Sequence, residues 1–269
     1  MMEKALKLLP LGTSDFENLR HRDQIYVDKT DMICELASVP GKFFFARPRR
    51  FGKSLLLSTF ESLFRDGLKN FQGLKIEQLW TDKSTYKVIK LDFSRVKPEG
   101  TFEDFCQYFD NYLEAQFSLI GFKKEDNGLF LSNQIEIFLA GLSSSSLVLL
   151  IDEYDAPLTA CLDNKEFFER VRNYLSRFYG ILKANDRVLR FLFITGITKF
   201  NKTSIFSELN NLSDVSLSPR FGTLLGYTHE EVETYFDGYL TQSASVLSVS
   251  RDELLRSLTK QYDGFCFER

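Results

Sequence analysis

The chain has 269 residues, of which 43% are hydrophobic and 26% charged, and this balance is typical of a folded globular protein and excludes a disordered one. Its 34 Lys and Arg against 37 Asp and Glu give a net charge of −3, which argues against a protein that binds nucleic acid through a wholly basic surface. The length fits one large domain, or a domain with small appendages.

The cysteines and histidines predict neither a metal site nor a disulfide framework. The four cysteines lie far apart and the two histidines are isolated, whereas a structural zinc site needs closely spaced ligands. Free thiols suit a reducing compartment. The N-terminal residues lack the uninterrupted apolar stretch of a signal peptide, and no apolar run is long enough to span a membrane. We therefore expect a cytoplasmic protein with no membrane partner.

Strand and helix patterns alternate along the first half of the chain. In order, the predicted strand, helix, strand, helix and helix are Lys42–Ala46, Ser54–Phe64, Lys87–Phe93, Phe102–Leu119 and Ser132–Leu142. The most apolar run, Leu147–Ile151, follows them. Its short length and partly β-branched composition predict a strand that is buried on both faces.

The second half continues the alternation. Apolar residues recur at spacings of three and four after Asn164, which predicts a long amphipathic helix with Asn164 as its N-cap. A strand at Val188–Thr195, a shorter one at Val215–Leu217 and helices near Thr228–Tyr239 and Arg251–Tyr262 follow. This order predicts a parallel sheet of about five strands with helices on both faces.

Gly52-Lys53-Ser54 stands where the first strand passes into its helix, and it matches the second half of a P-loop. Backbone N–H groups and the dipole at a helix N-terminus favour an anion. Gly52 permits close approach of the backbone, Lys53 is predicted to reach the β- and γ-phosphates, and the Ser54 hydroxyl to hold Mg²⁺. The usual motif begins with Gly, but this chain has Arg47 followed by Pro48, which predicts a stiffer loop with added guanidinium groups. An ordinary helix start is the alternative.

Asp152 and Glu153 follow the most apolar strand, at the edge where parallel sheets bind ligands. We predict that Asp152 acts on Mg²⁺ and that Glu153 polarises the attacking water. Taken alone, these acids are also compatible with a loop start or a helix cap. The combination with Gly52–Ser54 favours a nucleotide site, and the strand at Lys87–Phe93 lies between the two motifs, as an ATPase of the additional-strand type requires.

Two further residues are candidates for the chemistry. Thr195 ends a strand and is predicted to be catalytic, by sensing the γ-phosphate or positioning the water; an ordinary β-branched strand residue is the alternative. Arg220 is a candidate charge-stabilising arginine, although a surface ion pair is the favoured interpretation.

The ordered set of motifs resembles the bacterial AAA-ATPase-like proteins, in which a PD-(D/E)XK nuclease-like region usually follows the ATPase region. The resemblance covers nearly the whole chain, and the family's own phosphate loop also begins with Arg-Pro-Arg-Arg-Phe, so Arg47 is a family trait. The matching residues are Leu11–Phe16, Tyr26–Thr30, Arg47–Ser58, Leu91–Ser94, Ile151–Asp155, Thr195–Gly196, Lys199–Phe200, Asn210–Leu212, Asp214, Ser216, Pro219–Phe221, Gly226–Thr228, Glu230–Glu231 and Tyr262–Phe265.

The resemblance implies an α/β P-loop NTPase of the additional-strand type, a central parallel sheet with helices on both faces and a small C-terminal helical extension. It implies ATP and Mg²⁺ as cofactors, a core over residues 1–222 whose segment around Thr13–Phe16 covers the adenine, and an extension over 223–269.

The nuclease-like region of the family begins near residue 269, so we expect no nuclease site in this chain, and a nuclease-like domain or nucleic acid only as an indirect partner. AAA-type proteins often hydrolyse ATP at subunit contacts, which makes a homo-oligomer an expectation. The residues predicted to contact the nucleotide are Arg47, Arg49, Arg50, Phe51, Gly52, Lys53, Ser54 and Leu55.

The sequence leaves three functions open. The favoured one is a Mg²⁺-dependent ATPase that acts as a switch or motor module, with Lys53, Glu153 and Thr195 as catalytic residues and with Ser54 and Asp152 as metal ligands. The second is a nucleotide-binding regulatory or scaffold module with little turnover. The third is a nucleic-acid-binding module that uses the basic loop, against which the negative net charge counts.

Overall fold

The computed structural model describes residues 6–197 and 212–262. The strands are β1 (Gly41–Ala46), β2 (Lys87–Asp92), β3 (Leu147–Asp152), β4 (Leu189–Gly196) and β5 (Ser213–Asp214). The α-helices are α1 (Phe16–His21), α2 (Thr30–Ser38), α3 (Lys53–Asp66), α4 (Phe102–Ser118), α5 (Leu131–Ala140), α6 (Ala156–Thr159), α7 (Lys165–Ala184), α8 (His229–Tyr235), α9 (Asp237–Leu247) and α10 (Arg251–Tyr262). Short 3₁₀ turns occupy Gly67–Asn70, Lys75–Gln78, Phe93–Arg95 and Asp186–Val188.

The five strands form one sheet in the order β2-β3-β4-β1-β5, and every pairing is parallel. In space, β4 separates β1 from β3. The strand that lies between the two motifs in sequence, β2, pairs with the far side of β3. This parallel order, with helices packed on the sheet, confirms the predicted fold class, an α/β P-loop NTPase of the additional-strand type.

The sheet is buried because helices cover both of its faces. Every residue of β3 and β4 is buried, and successive side chains of a strand point to opposite faces. Leu149 of β3 accordingly joins a core with side chains of α4, α5 and α7, whereas its neighbour Leu150 joins a second core with α1, α2 and α3. The continuous apolar run of β3 is therefore explained by the helices that pack on both faces of the sheet.

Element boundaries were well predicted where the periodic pattern is long. Asn164 is the N-cap of α7, and its side chain accepts a hydrogen bond from the Phe167 N–H. The bounds predicted for the short strand, Val215–Leu217, are wrong: the strand is β5 (Ser213–Asp214), two residues earlier. The Val215 N–H still donates to the Phe44 carbonyl of β1 over 3.0 Å, and the Asp214 carboxylate then accepts the Ser216 N–H where the chain turns. The helix predicted near Thr228–Tyr239 is interrupted at Phe236, which separates α8 from α9.

The short helices α1 and α2 were not predicted from the sequence. The signal that marks the start of α1 is Asp15, whose carboxylate caps the helix by accepting the Asn18 N–H. In the part of the chain that the structure describes, none of the helices combines the length and the apolar character that crossing a bilayer requires.

A half-buried carboxylate between two helices offers a test of the packing. The Tyr174 hydroxyl of α7 donates to Asp110 of α4 over 2.8 Å, and burial raises the pKa of Asp110 above its ordinary value of 3.8. A raised pKa means that the folded state holds the proton more tightly than the unfolded state, so the ionised carboxylate destabilises the fold at neutral pH. Asp110→Asn keeps an oxygen acceptor and removes the charge.

We expect Asp110→Asn to raise the melting temperature at pH 7 by about 2 °C, a shift produced by up to about 1 kcal/mol in a domain of this size. The gain should shrink as the pH falls through the raised pKa and disappear below about 3.8, where both states are protonated. Thermal denaturation as a function of pH measures this, with the exposed Asp126→Asn as the control. A gain that did not vary with pH would show that the charge is not its cause.

Candidate functional site

The turn between β1 and α3 is shaped by left-handed backbone at two positions. Gly52 is the N-cap of α3 with φ +91°, and Arg50 has φ +69°; L side chains are disfavoured in this region, and Gly adopts it freely. The first helical hydrogen bond runs from the Leu56 N–H to the Gly52 carbonyl. The N–H groups of residues 53–55 therefore lie in the first turn, where helix geometry supplies no acceptor.

Ser54 and Asp152 meet across the carboxyl edge of the sheet. The Ser54 hydroxyl donates to one oxygen of Asp152 over 2.5 Å. The other oxygen of Asp152 accepts the Thr195 hydroxyl over 2.5 Å and the Glu153 N–H over 3.1 Å. Because β1, β4 and β3 are neighbours, their ends bring these residues together from distant parts of the sequence.

Thr195 is completely buried, and the contact that the structure gives its side chain is the one to Asp152. It does not line the cavity that the described residues form. Its hydroxyl orients the Asp152 carboxylate, and the direct role of Thr195 toward the γ-phosphate or the water stays a prediction.

Glu153 combines an unusual backbone with a perturbed carboxyl group. Its φ of +49° lies in the left-handed region, which is rare for residues other than Gly and is often found at functional sites. The pKa of Glu153 is raised by burial and by the neighbouring Asp152, while Lys53 opposes the rise. A carboxylate with a raised pKa binds a proton more readily, which suits a general base.

Lys53 is 5% exposed, and its ammonium group forms hydrogen bonds across the turn between β1 and α3. Its Nζ donates to the carbonyls of Arg47 over 3.1 Å and Pro48 over 3.0 Å. Burial lowers the pKa of Lys53, and the carboxylates of Glu153 and Asp152 oppose that change. The side chain therefore places a positive charge beside the two acids and the start of α3.

The side chain of Arg47 occupies a different place from the one expected. It is 3% exposed, and its guanidinium donates to the carbonyls of Ala46, Ser216 and Gly222. It also lies over the ring of Phe45, 4.3 Å from the centroid. Arg47 thus joins the turn to the 216–222 segment inside the protein.

The other predicted loop residues divide into two groups. Arg50, Phe51 and Leu55 line the cavity, whereas Arg49 is exposed and is not part of the wall that the described residues form. Arg220 is exposed and forms an ion pair with Glu35, which confirms the favoured interpretation of that residue.

A cavity of about 960 Å³ opens beside the start of α3, within the size range of small-molecule sites. Its wall includes residues 50–55 and Glu153, and also Thr13 and Ser14 of the N-terminal segment. Lys29 and the 222–228 segment complete much of the wall. Lys29 belongs to the motif Tyr26–Thr30, and the 222–228 segment follows Pro219–Phe221 and contains Gly226–Thr228.

The donors at the cavity edge suit a magnesium ion. A serine hydroxyl and a carboxylate are the hard oxygen ligands that Mg²⁺ prefers, and the hydrogen bond between Ser54 and Asp152 shows that both reach one point. The residues present therefore fit the ion that the sequence predicted.

Comparison with known proteins identifies the family of this chain. Residues 10–206 match the family model AAA-ATPase_like, described as a predicted AAA-ATPase. The "Uncharacterized protein in vnfD 5′ region" of Azotobacter chroococcum mcd 1 is 32% identical over 233 residues, which are 86% of this chain and 45% of the relative. This chain thus spans less than half the length of that relative. The crystal structure of Cdc6p from Pyrobaculum aerophilum is similar over 80% of this chain and 50% of its own, with 15% identity and a TM-score of 0.38. Because the family model matches well over half of the sequence, this chain belongs to the family of predicted AAA-ATPases.

Proposed function

We propose that this chain binds ATP together with Mg²⁺ at the β1–α3 turn and hydrolyses it, as a switch or motor module. The observation that carries the proposal is the 2.5 Å hydrogen bond between the Ser54 hydroxyl and the Asp152 carboxylate. This hydrogen bond joins the first turn of α3 to the carboxyl end of β3. This is the relation that a P-loop nucleotide site requires.

The phosphates are held by backbone and side-chain groups at the start of α3. The first-turn N–H groups and the helix dipole favour the triphosphate. Lys53 adds a positive charge at the same place, and Arg50 in the cavity wall adds a second. The space beside Gly52 is open to a phosphate: a Cβ placed on this residue would have a Leu225 side-chain atom as its nearest neighbour, at 3.7 Å.

Ser54 and Asp152 are the residues that would hold Mg²⁺. When bound, the ion neutralises charge that develops on the phosphate oxygens. Thr195 keeps Asp152 oriented through its buried hydroxyl. Glu153, in the cavity wall, accepts a proton from the water that attacks the γ-phosphorus, and ADP and inorganic phosphate leave.

The structure also bears on the other two functions. Burial of Arg47 removes one cation from the basic loop, which weakens the case for a nucleic-acid-binding module. A nucleotide-binding scaffold with little turnover shares the same binding residues, and only a measurement of phosphate release separates it from an ATPase.

The role of Asp152 is tested by the magnesium dependence of ATP binding. ATP with Mg²⁺ should raise the melting temperature of the wild-type protein more than ATP with EDTA does, and Asp152→Asn should lose most of that difference. The matched control is Asp92→Asn, because Asp92 pairs with Asp152 in register at the end of the adjacent strand and caps a local turn. The proposal fails if ATP with Mg²⁺ does not stabilise the wild type, or if Asp152→Asn responds as Asp92→Asn does. GTP measured in parallel reports base preference.

The remaining expectations from the sequence stay predictions. These are the division into a core over 1–222 and an extension over 223–269, adenine beneath the Thr13–Phe16 segment, a homo-oligomer, a cytoplasmic location and an indirect relation to a nuclease-like domain. Gel filtration with and without nucleotide tests the association of subunits.

A further inference from the structure

A buried lysine joins the N-terminal part of the chain to the C-terminal helices. Lys29 precedes α2 and is 6% exposed. Its ammonium donates to the Thr223 carbonyl and to the Glu231 carboxylate, 2.8 and 2.9 Å from the two carboxylate oxygens. Residues nearly two hundred positions apart in sequence are thus held by one side chain.

Glu231 has two roles at the start of α8. Its carboxylate accepts the Thr228 N–H over 2.8 Å, and its own N–H donates to the Thr228 hydroxyl over 3.2 Å, which is a reciprocal capping box. The same carboxylate pairs with Lys29. The position of Lys29 and the start of α8 are therefore coupled through one group.

The contact of α8, α9 and α10 with the N-terminal part includes further polar groups, whereas Leu224 and Leu225 of the preceding segment are buried in the second core. The Asp28 N–H donates to the Tyr235 hydroxyl over 3.2 Å, and the Tyr239 hydroxyl donates to the Lys7 carbonyl over 2.8 Å. Among the described residues, α8 and α10 bury no side chain and α9 buries only two. Polar contacts with little apolar burial permit relative motion, so the buried ion pair is the attachment best placed to set the position of α8.

Lys29, one member of this ion pair, lies in the wall of the candidate nucleotide site. Lys29, Thr223 and Thr228 line the same cavity as Gly52 and Ser54. Apolar side chains of both joined segments, including Val27 and Leu224, also form that wall. A triphosphate needs the loop and its cations, whereas a nucleoside needs such an apolar wall.

We propose that Lys29 and Glu231 are a positioning pair, which fixes the end of the 222–228 segment and the start of α8 against the N-terminal segment and so completes the wall that receives the nucleoside of ATP. The inference rests on the proposed function and assigns a role to the Tyr26–Thr30 motif. Lys29 acts through Thr223 and Glu231 and not by contact with the phosphates. Loss of the pair weakens binding of the nucleoside part and leaves binding of the phosphates intact.

The variants must separate this role from a general loss of stability. Removing one partner of a buried pair leaves an uncompensated charge, and Lys29→Met carries that risk because it leaves Glu231 partly buried. Glu231→Gln is milder, since Gln in this position still completes a capping box. The control is Glu35→Gln, which breaks the exposed ion pair between α2 and Arg220 and touches no residue of the Lys29 pair.

Calorimetric titration with ATP and, separately, with inorganic tripolyphosphate, both with Mg²⁺, tests the inference. We expect Lys29→Met and Glu231→Gln each to weaken ATP binding about ten-fold, a usual size for coupling between a site and a distant group. Tripolyphosphate binding should change less than about two-fold, and the double variant should be no weaker than either single one, because both act through one interaction. Glu35→Gln should bind both ligands as the wild type does.

Two outcomes overturn the inference alone: ATP binding that is unchanged in both variants, or ATP and tripolyphosphate binding that fall together. A wild-type protein that binds neither ligand overturns the proposed function as well. Turnover at saturating ATP provides a second readout, because the pair predicts a higher KM with kcat unchanged.

Discussion

Lys53→Ala is expected to abolish the stabilisation of this protein by ATP with Mg²⁺. At a ligand concentration of 100 times Kd, binding stabilises the folded state by about 2.7 kcal/mol, which corresponds to a rise of about 5–10 °C in the melting temperature. The variant loses the cation beside the first turn of α3 and also the donor to the carbonyls of Arg47 and Pro48. The variant therefore loses the contact to the phosphates, and the conformation of the turn is less well held.

The control for this change is Lys123→Ala, which removes one lysine from an exposed loop position and should retain the full response to ATP. Circular dichroism of each ligand-free variant establishes that the fold is intact. An equal rise in melting temperature for wild type and Lys53→Ala would contradict a triphosphate site at this turn.

Glu153→Gln is expected to separate binding from hydrolysis. A general base contributes about 10²–10⁴-fold to a rate, so phosphate release should fall at least about 100-fold when the carboxylate becomes an amide. ATP affinity should be equal or higher, because the amide removes a negative charge near the phosphates. The raised pKa of Glu153 further predicts that the activity of the wild type falls on acidification at a higher pH than an ordinary glutamate would give.

Phosphate release and the ATP-induced melting shift, measured on the same samples, check both halves of this prediction. Glu99→Gln, at an exposed position, should leave both unchanged. If the wild type binds ATP but releases no phosphate, the protein is the nucleotide-binding regulatory module. If Glu153→Gln turns over ATP as fast as the wild type, another group is the base.

Local pattern was sufficient to predict the long helices and strands and the turn at Gly52. The apolar run before Asp152 predicted a strand that is buried on both faces, and β3 is such a strand. Gly52-Lys53-Ser54 predicted the start of a helix, and Gly52 is the N-cap of α3 with a positive φ that glycine adopts easily. These signals arise from neighbours in sequence, so they can be read without the fold. The short helices α1 and α2 were missed, because a helix of six to nine residues is too short to be stable alone and depends on buried side chains such as Phe16 and Leu19.

The roles of the arginines depended on tertiary contacts. Arg47 and Arg49 are two residues apart and look equivalent in sequence, yet the first is buried against three carbonyls and the second is exposed. The carbonyls of Ser216 and Gly222 that receive Arg47 belong to a segment about 170 residues away. No local pattern carries that information.

By itself, the sequence determined the kind of sheet, the turn at Gly52 and the position of Asp152 and Glu153 at the end of a strand, because periodicity, glycine and charge act over a few residues. Only the tertiary structure decided which distant groups meet: Ser54 with Asp152, Thr195 with Asp152, and Lys29 with Glu231. The physical reason is that strand order and helix docking bring together side chains whose separation along the chain has no fixed relation to their separation in space.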